Sequence, residues 1–137
     1  MKVFLDTNVL ASSIATRGLC SELLENVIHD HELLTCQQVL LELERILARK
    51  FGLPAAVVSG FLTLLEAQAR LVTSRKSPRI PIKDADDVAI LACALAGEAD
   101  VFVTGDKELL DLKRIENLVI LSPRELWLQL RGLSPPK

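Results

Sequence analysis

Short apolar runs recur along this chain, separated by longer stretches with helical spacing. Lys2 to Leu5 predicts a first strand, and Asp6-Thr7-Asn8 supplies turn or N-cap chemistry for a short helix through Ile14 that Arg17-Gly18 breaks. Leu23, Leu24, Val27 and Ile28 make an amphipathic stripe on a second helix, and a short strand near Leu33 to Cys36 completes one β-α-β unit. Gln37 to Phe51 has helical periodicity, with Val39, Leu40, Leu43, Ile46 and Leu47 on one face and Gly52 as its stop. Pro54 suits the first turn of a helix running to about Ala69. Leu71-Val72-Thr73 reads as a third strand. Ser74 to Lys83, basic and interrupted by prolines, is a loop suited to mobility or substrate contact.

From Asp84 to Ala96 the pattern is apolar nearly all round, which predicts a central, buried helix whose alanines allow close packing on a sheet. Val101 to Val103 is a strand, Lys107 to Leu112 a short helix and Leu118 to Leu121 a last strand, and Ser122-Pro123-Arg124-Glu125 opens a final helix with capping-box spacing. Short apolar strands alternating with helices are the pattern of a three-layer α/β/α fold with a mostly parallel sheet. The length fits one domain over residues 1–137, with residues from about 133 to 137 a frayed tail.

Half of the residues are hydrophobic, ample for one core. The formal charge of −2 hides an uneven layout, because Arg45, Arg49, Lys50, Arg75, Lys76, Arg79 and Lys83 lie between the acidic segments. A nucleic-acid partner is therefore compatible with the charge. Cys20, Cys36 and Cys93 are odd in number, form no C-x-x-C and sit in apolar surroundings, as expected of reduced core thiols rather than disulfides or zinc ligands. That usage, the early Asp6 where a signal peptide would need an apolar stretch, and the lack of any run long enough to span a membrane point to a cytoplasmic protein.

The chemistry is carried by carboxylates. Asp6 follows Val3-Phe4-Leu5, Asp106 follows Val101 to Gly105, Asp87 heads the apolar run Val88 to Ala96, and Glu42 lies within Val39 to Leu47. Residues just past the ends of parallel strands line the ligand crevice of such sheets. Gathered carboxylates repel unless a cation or proton neutralises them, and an all-oxygen pocket suits Mg²⁺ or Mn²⁺. Capping explains any one of Asp6, Asp84 or Asp106, and Asp86 and Asp87 could simply favour a helix first turn. As a set, the acids point to a shared site. Periodicity does not choose between Glu42 and Glu44, and Glu42 could pair with Arg45. Thr7, Asn8 and Thr104 could orient a metal-bound water or serve turns and caps. His29 and His31 lack ligand spacing and read as surface residues.

Phe4-Leu5-Asp6-Thr7-Asn8-Val9-Leu10 resembles the opening of PIN domains, and Leu40 to Leu47 their glutamate-bearing helix. Asp84-Ala85-Asp86-Asp87 running into Ile90-Leu91-Ala92-Cys93-Ala94 is similar to their third acidic motif, and Val103-Thr104-Gly105-Asp106-Lys107 to their fourth. The resemblance spans nearly the whole chain, and is nearest to the prokaryotic PIN proteins of toxin–antitoxin systems, the VapC-like ribonucleases. It implies a Mg²⁺- or Mn²⁺-dependent endoribonuclease acting on single-stranded RNA, frequent homodimers and inhibition by a cognate antitoxin protein. It assigns metal-site roles to Asp6, Glu42, Asp87 and Asp106, with Asp84 an additional acid, and it selects Asp87 over Asp86. The chain has no Tyr, so grip on RNA should come from Arg45, Arg49, Arg75, Lys76, Arg79 and Lys83 and from backbone rather than from stacking platforms. Solvated surface charge is the alternative for each of those residues taken singly.

Rival classes fit less well. A haloacid-dehalogenase-like phosphotransferase needs a second Asp where Asn8 stands, a receiver domain needs a lysine where Ser122-Pro123 stands, and neither G-x-G-x-x-G nor a P-loop occurs. A non-catalytic PIN scaffold that binds RNA or a protein is the remaining alternative, and would be expected to have lost an acid.

Overall fold

The computed structural model describes residues 1–76 and 78–132. The first half of the chain runs β1 (Lys2–Leu5), α1 (Thr7–Ala15), α2 (Leu19–Asp30), β2 (Glu32–Thr35), α3 (Gln37–Arg49), α4 (Ala55–Gln68) and β3 (Ala69–Leu71). The second half runs α5 (Ala85–Ala96), β4 (Val101–Val103), α6 (Lys107–Leu110), β5 (Arg114–Ile115), β6 (Leu118–Leu121) and α7 (Pro123–Leu130). The expected frayed tail lies outside the described residues.

Val3, Phe4, Leu5, Val101, Phe102 and Val103 are all buried, so β1 and β4 are covered on both faces and form the middle of the sheet. The strand order is β3-β2-β1-β4-β6-β5, parallel except for β5, which pairs antiparallel with β6. Phe4 lies opposite Phe102, and their rings stack with centroids 5.4 Å apart. The connections from β1 to β2 and from β2 to β3 step one way, and that from β3 to β4 steps back across the sheet. Right-handed crossovers therefore put α5 on the opposite face from α1 to α4. The packing agrees: α1 lies against α2 and α3, α3 against α4, and α2 against α7, whereas α5 lies over β2. The strand order reverses between β1 and β4, so the crevice of this three-layer fold opens beyond their carboxyl ends.

The expected elements form with a few displacements. The third strand is Ala69–Leu71 rather than 71–73, because Ala69 and Arg70 pair with Leu33 and Leu34 although their own propensity favours continuing α4. The third helix stops at Arg49, two residues short of Phe51, with the Lys50 and Phe51 amides both turned onto the Ile46 carbonyl. The expected helix over 107–112 closes at Leu110, and the two-residue strand β5 was not foreseen. A two-residue turn at Glu116-Asn117 joins β5 to β6, with Glu116 at φ 53°. Ser122 and Glu125 do form the capping box at the start of α7, with bonds of 3.1 and 3.0 Å.

The largest departure concerns α5, which is not buried all round. Ile90, Leu91, Ala92 and Ala94 are buried, while Val88, Ala89, Cys93 and Leu95 are half-buried and Ala96 is exposed. One flank of the helix faces Ser74, Arg75, Lys76 and Pro78, and together they enclose a groove. One part of about 450 Å³ is lined by Gln38, Ser74, Arg75, Lys76, Ala85 and Cys93 among others. A continuation of about 640 Å³ runs past Pro78 and Ala96. Small apolar residues on that side reflect close approach of the loop rather than central burial.

Candidate active site

Asp6 directly follows β1 at the sheet's point of reversal and is 7 % exposed. Its Oδ1 accepts from the Thr7 amide at 2.8 Å and its Oδ2 from the Thr104 hydroxyl at 2.7 Å. Thr104, fully buried just past β4, also accepts at Oγ1 from the Asp106 amide at 3.0 Å. One hydroxyl thus fixes Asp6 and the backbone carrying Asp106. Asp106 caps α6, its Oδ1 accepting from the Glu108 amide at 2.9 Å. Asp84 caps α5 through the Asp86 and Asp87 amides. Asp6, Asp84 and Asp106 are therefore helix caps, as the bland reading required, and they still converge, because the helices they cap start at the same end of the sheet.

Electrostatics report the convergence. Burial raises the Asp6 carboxyl above its usual range, the Thr104 and Thr7 hydrogen bonds pull it back, and Asp106 adds repulsion. Burial also raises Glu42, with repulsion from Asp6, Asp86 and Asp84 only partly offset by Arg45. Asp87 is pushed up to about 6, first by burial and then by Asp84, Asp6, Asp106 and Glu42. Among the described residues, no hydrogen bond offsets that rise. Asp6, Glu42, Asp87 and Asp106 come from four different elements, with Asp87 in the field of the other three and Asp6 acting on Glu42. Glu42 is half-buried toward this cluster whereas Glu44 is exposed. Similarly Asp87 is half-buried and Asp86 exposed.

The remaining candidates divide. Thr7 is buried beside Asp6, and its hydroxyl has no partner among the described residues. Asn8 is exposed. Arg75 and Lys76 line the groove beside α5, and Arg45 lies close enough to act on Glu42. Arg49, Arg79 and Lys83 are exposed, and nothing ties them to the cluster. His29 is exposed, and His31 Nδ1 lies 3.2 Å from the chain's amino group, far in role from any acid. Sequence reasoning missed Gln38, whose Nε2 donates to Asp86 Oδ1 at 3.2 Å and ties α3 to the first turn of α5. Its only signal was a polar side chain in the first turn of the helix that bears Glu42.

The donor set is carboxylate oxygen throughout, which fits a hard divalent cation, and the mutual repulsion raising Asp87 is what such a cation would relieve. Among the described residues, no three His, Cys, Asp or Glu side chains close on a common point. Asp6 and Asp106 are turned instead onto the amides they cap.

The PIN domain family pattern matches residues 2–108, which contain all four carboxylates, and the chain belongs to that family. Its fold is similar to that of a chain in the crystal structure of VapBC2 from Rickettsia felis bound to a DNA fragment from their promoter. The identity is 20 % over 89 % of this chain and 98 % of that one, with a TM-score of 0.63. A chain in the 2.2 Å structure of VapBC-1 from nontypeable Haemophilus influenzae is similar at 17 % identity, over 90 % of this chain and 99 % of that one, with a TM-score of 0.60. At these identities the likeness is one of fold. No curated protein matches the sequence. Among the described residues, no helix is long and apolar enough to cross a membrane.

Proposed function

We propose that the protein is a divalent-metal-dependent endoribonuclease that hydrolyses phosphodiester bonds in single-stranded RNA, and that it is the toxin of a toxin–antitoxin pair. The observation that carries the reading is the gathering of Asp6, Glu42, Asp87 and Asp106 at the sheet's point of reversal, with Asp87 raised to about 6 by burial and then by its acidic neighbours. Family membership supports nuclease chemistry, and fold likeness to chains of two VapBC structures supports a cognate antitoxin partner.

In this reading Asp6, Asp87 and Asp106, joined by Glu42, hold Mg²⁺ or Mn²⁺. When bound, the cation lowers the pKa of a coordinated water and offsets charge on the phosphate and the leaving oxygen. Thr104 holds Asp6 in one orientation, so the carboxylate need not reorganise when charge arrives. Each Asp6 oxygen uses one lone pair on Thr7 or Thr104 and keeps another free. Asp87 gives up its proton above about pH 6 and is then ready as a ligand. Arg75 and Lys76, on the groove beside α5, bind the RNA backbone. Retention of all four acids favours catalysis over a binding scaffold.

The test is cleavage of single-stranded RNA by the purified protein with Mn²⁺ or Mg²⁺. Activity is expected with either ion and should vanish with a chelator. Cleavage undiminished by chelation would refute the metal reading, and a folded protein that binds RNA without cutting it would leave the scaffold.

A further inference from the structure

Where α5 covers β2, the fold brings a cysteine of the helix toward a cysteine just past the strand. Gly97, just past α5, sits against that strand so closely that a Cβ on it would lie 3.2 Å from Leu34 Cδ1 and 2.7 Å from Val72 Cγ1. The helix returns from β3 to β4, so it runs antiparallel to the strands. Four residues back along α5, a rise of about 6 Å, stands Cys93, on the same side of the helix as Gly97. Two residues forward along β2, a rise of about 6.6 Å, stands Cys36, on the same side of the strand as Leu34. Cys36 keeps extended backbone, with φ −142° and ψ 163°, so the alternation carries through to it. The Cys93 thiol is close enough to act on the Cys36 thiol. They also differ in access. Cys36 is 2 % exposed, while half-buried Cys93 opens onto the groove lined by Ser74, Arg75 and Lys76.

We propose that Cys36 and Cys93 are a disulfide-forming pair, closed by hydroperoxide and reopened by a dithiol reductant, which links the start of α3 to the middle of α5. The groove admits the oxidant to Cys93, whose thiolate attacks the peroxide oxygen. The O–O bond breaks, Cys93 becomes a sulfenic acid, and water leaves. Cys36 sulfur then attacks Cys93 sulfur, the S–O bond breaks, and the Cys36 proton leaves with the hydroxide as a second water. Two electrons pass from the two thiols to one peroxide. Burial pushes the Cys36 thiol up to about 12, which suits a thiol that waits protonated and is not itself the first target. Because α3 carries Glu42 and α5 carries Asp87, the link fixes the spacing of two of the four carboxylates.

The experiment treats the full, reduced and desalted chain with hydrogen peroxide. Expected are a mass lower by two hydrogens, a fall in labelled thiols from three to one with Cys20 the survivor, and a Cys36–Cys93 cross-linked peptide. The melting temperature should rise on oxidation, because a long loop is closed, and return with dithiothreitol. Cys20→Ser should preserve the link. Cys93→Ser, at a half-exposed position that keeps its fold, should abolish it. Three thiols still labelled after oxidation, oxygen addition without a link, or a link through Cys20 would each overturn the proposal.

Discussion

Replacing Asp87 by Asn tests whether burial and the surrounding carboxylates together disfavour a charge at this position. In the folded protein Asp87 is raised from 3.8 to about 6. At about 1.36 kcal/mol per unit, that rise is worth roughly 3 kcal/mol against the ionised form. Asp87 is only half-buried, so solvent screening reduces this to roughly 2 kcal/mol. Losing a negative charge from the first turn of α5 removes about 0.3–1 kcal/mol of favourable dipole interaction. The net expectation at neutral pH without metal is that Asp87→Asn stabilises the fold by ~1 kcal/mol, about 3 °C in a chain of this size. The sign follows from linkage. The folded value lies above the unfolded one, so the stability contributed by protonated Asp87 is complete below pH 3.8 and is lost as pH rises through about 6. Wild type should therefore weaken relative to the variant between about pH 4 and 7, and the difference should level off above. Denaturant titrations with chelator at several pH values measure this, and RNA cleavage by the same variant should collapse. A variant less stable than wild type at pH 7.5, or a difference that does not change with pH, would refute the burial and repulsion that raise Asp87.

Two further changes probe the supports of the site. Thr104→Val keeps the shape but leaves Asp6 Oδ2 and the Asp106 amide without their common partner, so it should cost about 1–3 kcal/mol in a denaturant melt, whereas Thr104→Ser should stay close to wild type. Neutralising Arg75, Lys76 and Arg79 together should weaken RNA binding and reduce the salt slope by roughly 0.7 for each phosphate no longer neutralised, with thermal stability unchanged. Affinity and slope that match wild type would remove this loop from the binding surface.

Sequence and structure agree where the physics is local. Val3-Phe4-Leu5 and Val101-Phe102-Val103 are too short and too uniformly apolar to be anything but strands covered on both faces, and the aspartates beyond them inherit the crevice. Ser122 and Glu125 spelled out their own cap. What was illegible depends on neighbours far away in sequence. Ala69 and Arg70 join a strand only because Leu33 and Leu34 offer an open edge. The apolar outer side of α5 looked like central burial because nothing in its own residues reveals that a loop approaches it. Glu42 separates from Glu44, and Asp87 from Asp86, only once α3 and α5 are docked. Cysteine parity likewise gave no hint that Cys93 lies close enough to act on Cys36.

The hydrogen bond from Thr104 to Asp6 joins residues 98 positions apart, and it governs when the site can exist. Strand β4 docks beside β1 only after β2, β3 and five helices have been made. A chain still on the ribosome, or one cut ahead of Thr104, carries Asp6, Glu42 and Asp87 but lacks both the hydroxyl that orients Asp6 and the fourth acid. The acid cluster therefore assembles late in synthesis, and the unfinished polypeptide lacks it.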